Sequence, residues 1–151
     1  MTAPSVTIRD ANVDDLPVMR TLFAELGYIV DAATLAQRFE RFSAQGERAL
    51  VAELAGQVIG LATLHMTPVL HRAGGVGRVT ALVVTETGRS TGTGSALMRA
   101  ADQIMTDASC VLMEVTSNRK RLDAHRFYER IGYEATSFRF GKPLTPSRLK
   151  G

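Results

Sequence analysis

The sequence predicts an α+β fold, one mixed central β-sheet with helices on both faces. Three observations lead there. Two apolar strands, RALVAEL (48–54) and VIGLATLHM (58–66), flank a turn at Gly56 and read as an antiparallel hairpin. The apolar run RVTALVV (78–84) is followed by an amphipathic helix and then by CVLMEV (110–115), the pattern of a parallel strand–helix–strand unit. Two further amphipathic helices precede the hairpin, so apolar faces exist for both sides of a sheet.

Taken in order, VTI (6–8) reads as a first strand. Asn12 can cap a helix, with Asp15 beside its free N–H groups. Leu16, Met19, Leu22, Phe23 and Leu26 then share one face, and Gly27 ends that helix. Asp31 starts a second helix whose apolar face is Leu35, Phe39 and Phe42. The hairpin follows, then a loop, HRAGGVG (71–77), then the strand 78–84, whose continuous apolar character predicts a central place. Leu97, Met98, Ala101, Ile104 and Met105 give the next helix its buried stripe. After the strand 110–115, Ala124, Phe127, Tyr128 and Ile131 mark a last helix, stopped by Gly132, and SFRF (137–140) alternates as a closing strand. The expected order is β-α-α-β-β-β-α-β-α-β.

The 151 residues are 45 % hydrophobic, enough for one core, and are expected as a single domain, 1–151. No apolar run approaches the ~18 residues that span a bilayer, and the first ten residues lack the pattern of a signal peptide. With Cys110 as the one cysteine, no internal disulfide forms, and a cytoplasmic protein is expected. No membrane partner is expected. The net charge of +3 suits an anionic partner. Nucleic acid is not the expected one, because the arginines between 119 and 126 are not interleaved with stacking aromatics.

The segment RSTGTGS (89–95) lies between an apolar strand and a helix. It lacks the lysine of a Walker loop and the third glycine of a dinucleotide fingerprint. Helix-start N–H groups, two glycines and Arg89 still suit an anion. Taken alone, the segment reads equally well as a phosphate loop or as a Gly/Ser/Thr-rich turn.

The downstream segment SNRKRLDAHRFYERIGY (117–133) separates the two readings. Arg-x-x-Gly-x-Gly before a helix, then a strand leading to Asn118, then Phe127-Tyr128 and Gly132-Tyr133, resembles the GCN5-related N-acetyltransferase (GNAT) superfamily. The likeness covers nearly the whole chain in element order and residues 78–133 in motif. AHRFY and FRFGKPL are also similar to small bacterial members, the aminoalkylphosphonate N-acetyltransferases among them. The resemblance implies acetyl-CoA as cosubstrate and an amine as acceptor. It implies that Arg89, Ser90, Thr91, Gly92, Thr93, Gly94 and Ser95 hold the pyrophosphate. It implies that Leu82, Val83 and Val84 pair with the pantetheine arm in the manner of an added strand, that Asn118 stands near that arm, and that Tyr128 lies beside the thioester sulfur. The sequence departs from the family pattern at Thr87 and Gly88, where many members carry proline or an aromatic residue. It departs also at Ser90, often glycine, and at Ala81, a glutamate in the phosphonate enzymes. A homodimer stays open, as members of this superfamily often dimerise. No metal is expected.

Acetyl transfer needs a neutral amine, a polarised carbonyl and a protonated leaving thiolate. A backbone N–H near Val83 or Val84 suits the carbonyl. Tyr128 is the expected acid, since a tyrosine of pKa ~10 stays protonated near neutrality; packing in a stripe with Ala124 and Ile131 is its ordinary alternative. Glu114 is the expected base, because burial in an apolar strand raises a carboxyl's pKa; a solvent-facing or arginine-paired side chain is the opposing reading. His65, His71 and His125 have ordinary surface or structural readings beside a catalytic one. Arg72 and Arg78 could attract an acidic acceptor. The expected reaction is direct transfer in a ternary complex. A relay through Cys110 and a non-catalytic acyl-CoA sensor with the same fold are the alternatives.

Overall fold

The computed structural model describes residues 5–89 and 91–145. The chain divides into two compact units, Met1–Val115 and Thr116–Gly151. The first unit runs β1 (Thr7–Asp10), α1 (Leu16–Glu25), α2 (Ala32–Ala44), β2 (Arg48–Leu54), β3 (Gln57–Thr67), β4 (Gly75–Val84), α3 (Thr93–Asp107) and β5 (Cys110–Val115). The five strands form one sheet in the order β1-β2-β3-β4-β5. The first three pairings are antiparallel and β4–β5 is parallel. The expected mixed sheet is therefore present, with β4 internal. β4 begins at Gly75 rather than Arg78, because Val76 and Gly77 already pair with Thr67 and Met66 on one side and with Leu112 and Met113 on the other.

The β2–β3 hairpin turns on Ala55 and Gly56, both with positive φ (51° and 80°). Two left-handed residues match the twist of the flanking strands. Alternation along the strands then sends side chains to two helical layers. On one face Ala49, Val51, Leu61 and Val83 join Met19 and Leu22 of α1 and Leu35 of α2 in one buried cluster, with Phe39 and Phe42 packed against it. On the other face α3 buries Leu97, Met98, Ala101 and Met105. Gly60 of β3 admits that helix closely: a Cβ there would stand 3.1 Å from both Leu97 Cδ1 and Thr93 Cγ2. The start of α3 is thus pressed against the sheet. Among the described residues no helix is long and apolar enough to cross a membrane.

Asn12 and Asp15 form a reciprocal cap before α1. Asn12 Oδ1 accepts from the Asp14 N–H (2.9 Å), and the Asn12 N–H donates to Asp15 Oδ2 (2.8 Å). Asp15 is buried, and its two oxygens also take both ends of the Arg9 guanidinium at 2.8 and 2.9 Å. The helix entry is thereby tied to β1.

The second unit carries α4 (Leu122–Arg130). Residues 137–140 are not a strand, contrary to the expected closing β element. Their alternation holds, but Phe138 and Phe140 are exposed (90 % and 93 %). This unit contains no other strand among its described residues, and a strand needs a neighbour for its N–H and C=O groups.

The Asp15 carboxyl lies below its ordinary range, chiefly through the Arg9 hydrogen bonds. Because the folded value lies below the unfolded one, its stabilisation is complete above the unfolded carboxylate value. It fades as the pH falls through that value toward the lower folded one. We predict that Asp15→Asn costs about 1–3 kcal/mol at pH 7 in denaturant melts. The variant should also lose less further stability than the parent between pH 5 and about pH 3.

Candidate active site

The site starts at an irregularity in β4. Thr63 pairs with Ala81, but the next β3 residue, Leu64, pairs with Val79, so Thr80 is an extra residue in β4. This is a β-bulge, which bends a strand and increases its twist. Thr80 Oγ1 donates to the Thr63 carbonyl (3.2 Å), which leaves Thr63 Oγ1 to donate to Thr80 Oγ1 across 2.7 Å. The ladder between β4 and β5 ends at Val79↔Val115, directly before the bulge. Beyond it, Ala81, Leu82, Val83 and Val84 pair with β3 alone among the described residues. One edge of this stretch therefore offers backbone donors and acceptors to an extended ligand. Leu82 and Val84 are half-buried and Val83 is buried.

The chain leaving β4 is fixed by backbone hydrogen bonds. The Thr85 N–H donates to the Ile59 carbonyl (2.8 Å). The N–H groups of Gly88 and Arg89 both donate to the Thr85 carbonyl, at 3.0 and 3.1 Å. Gly88 is buried, and a Cβ there would meet Val84 Cγ1 at 2.8 Å and Ile59 Cδ1 at 3.1 Å. This close fit accounts for glycine at a position where the family often has a larger residue. Thr91 Oγ1 donates to the Gly88 carbonyl, which leaves the buried Thr93 hydroxyl to donate to Thr91 Oγ1 (2.7 Å).

Gly92 stands at the N-cap of α3 with φ +80°, and among the described residues no side chain caps the helix. The first helical bond of the α3 start is from the Ala96 N–H to the Gly92 carbonyl (2.9 Å). The N–H groups of Thr93, Gly94 and Ser95 lie in the turn that has no intrahelical acceptor, at the positive end of the helix dipole. Arg89 is exposed, four residues before the first residue of the helix. The expected wrap of residues 89–95 is thereby narrowed, since the Arg89 N–H is already engaged within the loop. Ser90 lies outside the described residues.

An open groove of about 580 Å³ runs along this helix start, lined by Thr91, Gly92, Ser95, Ala96 and Arg99 together with Ser5, Val6 and Leu54. Sequence reasoning missed Arg99, although its spacing of four from Ser95 puts the two on one helix face.

Glu114 is exposed on β5. The enclosure expected to make it a base is absent, because its strand presents Val111, Leu112 and Glu114 to solvent. It lies opposite Arg78 in the β4–β5 ladder, and among the described residues no salt bridge joins them. Asn118 and Tyr128 belong to the second unit. Asn118 Oδ1 accepts from the Lys120 N–H (2.9 Å), and its carbonyl is 2.8 Å from His125 Nε2, so both groups organise the entry to α4. Tyr128 is half-buried, edge-to-face with Phe127 and Tyr133 at 5.3 and 6.0 Å. Burial raises its phenol above the ordinary value, with the nearby Arg121 charge partly offsetting this. Cys110 is half-buried, its thiol 3.8 Å from Met105 Sδ. Among the described residues no group of three or more His, Cys, Asp or Glu side chains could hold a metal ion.

A strand freed along one edge, leading into an uncapped helix start, describes a site for an extended ligand ending in an anion. A family model described as the acetyltransferase (GNAT) family matches residues 16–133, and this chain belongs to that family. It is 43 % identical over 89 residues to an aminoalkylphosphonate N-acetyltransferase of Salmonella typhimurium, a match covering 59 % of this chain and 58 % of that relative. The fold superposes on a transcriptional regulator of Bacillus halodurans with a TM-score of 0.86 at 23 % identity, over 93 % of this chain and all of that one. It superposes on an aminoglycoside N-acetyltransferase in complex with CoA with a TM-score of 0.82 at 21 % identity, over 95 % and 98 % of the two chains. At these identities the two structures share the fold.

The Gly88 fit gives a prediction. Gly88→Val forces a side chain onto Val84 and Ile59 and should lower stability by about 1–3 kcal/mol. Thr87→Val, at an exposed neighbour, should stay within about 0.5 kcal/mol in the same thermal melts.

Proposed function

We propose that this chain is an acetyl-CoA-dependent N-acetyltransferase that moves an acetyl group directly to the primary amine of a small acceptor. The observation that carries the proposal is the continuous path from the open edge of residues 81–84 to the uncapped start of α3. The pantetheine arm pairs along Leu82, Val83 and Val84. The pyrophosphate sits on the N–H groups of Thr93, Gly94 and Ser95, with Gly92 and Thr91 beside it and Arg89 and Arg99 toward its charge. A backbone N–H of the open edge polarises the thioester carbonyl. Asn118 contacts the pantetheine arm, and Tyr128 protonates the departing thiolate. A tyrosine phenol stays protonated near neutrality, which keeps the proton available for the thiolate. Glu114, exposed on the sheet face that carries Arg78, draws the cationic amine toward the site. Family membership and the Salmonella relative's name support amine acetylation. A single half-buried cysteine suits a cytoplasmic setting.

Release of free thiol from acetyl-CoA, followed across an amine panel that includes aminoalkylphosphonates, tests this reading. Steady turnover with at least one amine is expected. Tyr128→Phe should lower kcat on the order of 10²-fold, while Cys110→Ala stays near the parent. Binding of coenzyme A without turnover of any amine would make the chain an acyl-CoA sensor instead. Gly92→Val, which forces a β-branched residue into left-handed backbone, should weaken acetyl-CoA binding about tenfold or more. Thr91→Ala should weaken it only a few-fold, and equal losses would contradict the backbone-held pyrophosphate.

A further inference from the structure

Four polar side chains form a row across four segments on the α1/α2 face of the sheet. His65 pairs with Arg78 across β3 and β4, and Arg78 pairs with Glu114 across β4 and β5. Glu47, one residue before β2, continues the β2–β3 register to stand beside His65. The row lies two residues before the Thr80 bulge, at the level where the β4–β5 ladder ends.

Within it, His65 Nδ1 is 2.7 Å from Glu47 Oε1. The Glu47 side chain is only 17 % exposed, and the His65 ring is 45 % exposed. The second oxygen, Glu47 Oε2, is buried and has no hydrogen-bond partner among the described residues. A mostly buried carboxylate whose one partner is an imidazole fixes the ring tautomer, placing the proton on Nδ1 and the lone pair on Nε2. The other charged groups in the row are Arg78 and Glu114.

We infer that the Glu47–His65 pair is the proton acceptor for the acceptor amine. This rests on the acetyltransferase reading above. The ammonium gives one N–H proton to His65 Nε2, directly or through water. The freed lone pair forms the C–N bond as the C–S bond breaks. The thiolate takes the Tyr128 proton, and the second proton lost by nitrogen restores the tyrosine through water. Each turnover then passes one proton from His65 to solvent. Arg78, beside His65, favours acceptors that carry an acidic group near the amine.

The test uses the full chain, acetyl-CoA and whichever panel amine the parent turns over, with aminomethylphosphonate and 2-aminoethylphosphonate as first probes. His65→Ala should lower kcat on the order of 10²-fold, with added imidazole restoring part of it. KM for acetyl-CoA should stay within about twofold, as expected for a group that acts on the amine alone. Glu47→Gln should lower kcat about tenfold, as an orienting carboxylate does. His65→Gln provides a second variant should the alanine form melt early. Nitrogen NMR of the parent imidazole should report the proton on Nδ1. An unchanged kcat in a folded His65 variant, a loss that imidazole leaves in place, or a proton on Nε2 overturns the inference. A parent that turns over no amine overturns the acetyltransferase reading itself, and is told apart because parent and variants are then equally silent.

Discussion

Everything at the site depends on β4 being unable to pair on both sides along its whole length. The extra residue at Thr80, held by the two threonine hydroxyls across β3 and β4, shifts the register where the ladder to β5 stops. Backbone polar groups need partners, so an edge released inside a sheet is a demand for a ligand as much as an opening. The bulge thus turns an ordinary internal strand into half structural strand and half binding edge. The two helical layers pack on this sheet through the buried apolar residues of its two faces.

The anion end is built from the same economy of hydrogen bonds. The N–H groups of Gly88 and Arg89 are taken by Thr85, and the hydroxyls of Thr93, Thr91 and the Gly88 carbonyl form one chain. These bonds hold the loop and leave the first turn of α3 as the part with unclaimed donors. Gly60 sets that turn against β3, because a larger residue would push Thr93 and Leu97 away. The open edge and the helix start are therefore positioned by the same packing.

Element order, both helical layers and the β2–β3 hairpin were legible because each leaves a periodic trace in the chain. Leu97, Met98, Ala101 and Met105 repeat at helical spacing and are buried. The bulge at Thr80 was not legible, since register belongs to two strands jointly and neither carries it alone. Glu114 was misjudged because its apolar neighbours suggested enclosure, whereas β5 is an exposed strand of its unit. The closing strand at 137–140 failed for a related reason: alternation records a face, and pairing needs a neighbour. Arg99, and Glu47 as the partner of His65, were missed because their meaning comes from the helix face and from a cross-strand register.

Hydrogen exchange along β4, with and without acetyl-CoA, reads out whether the freed edge takes up a ligand. Binding is expected to add protection to amides in residues 80–84, whose outer edge is open. Amides in residues 76–79, already paired on both sides, should change little. Equal protection of both halves, or none in residues 80–84 despite saturation with acetyl-CoA, would contradict ligand pairing along that edge.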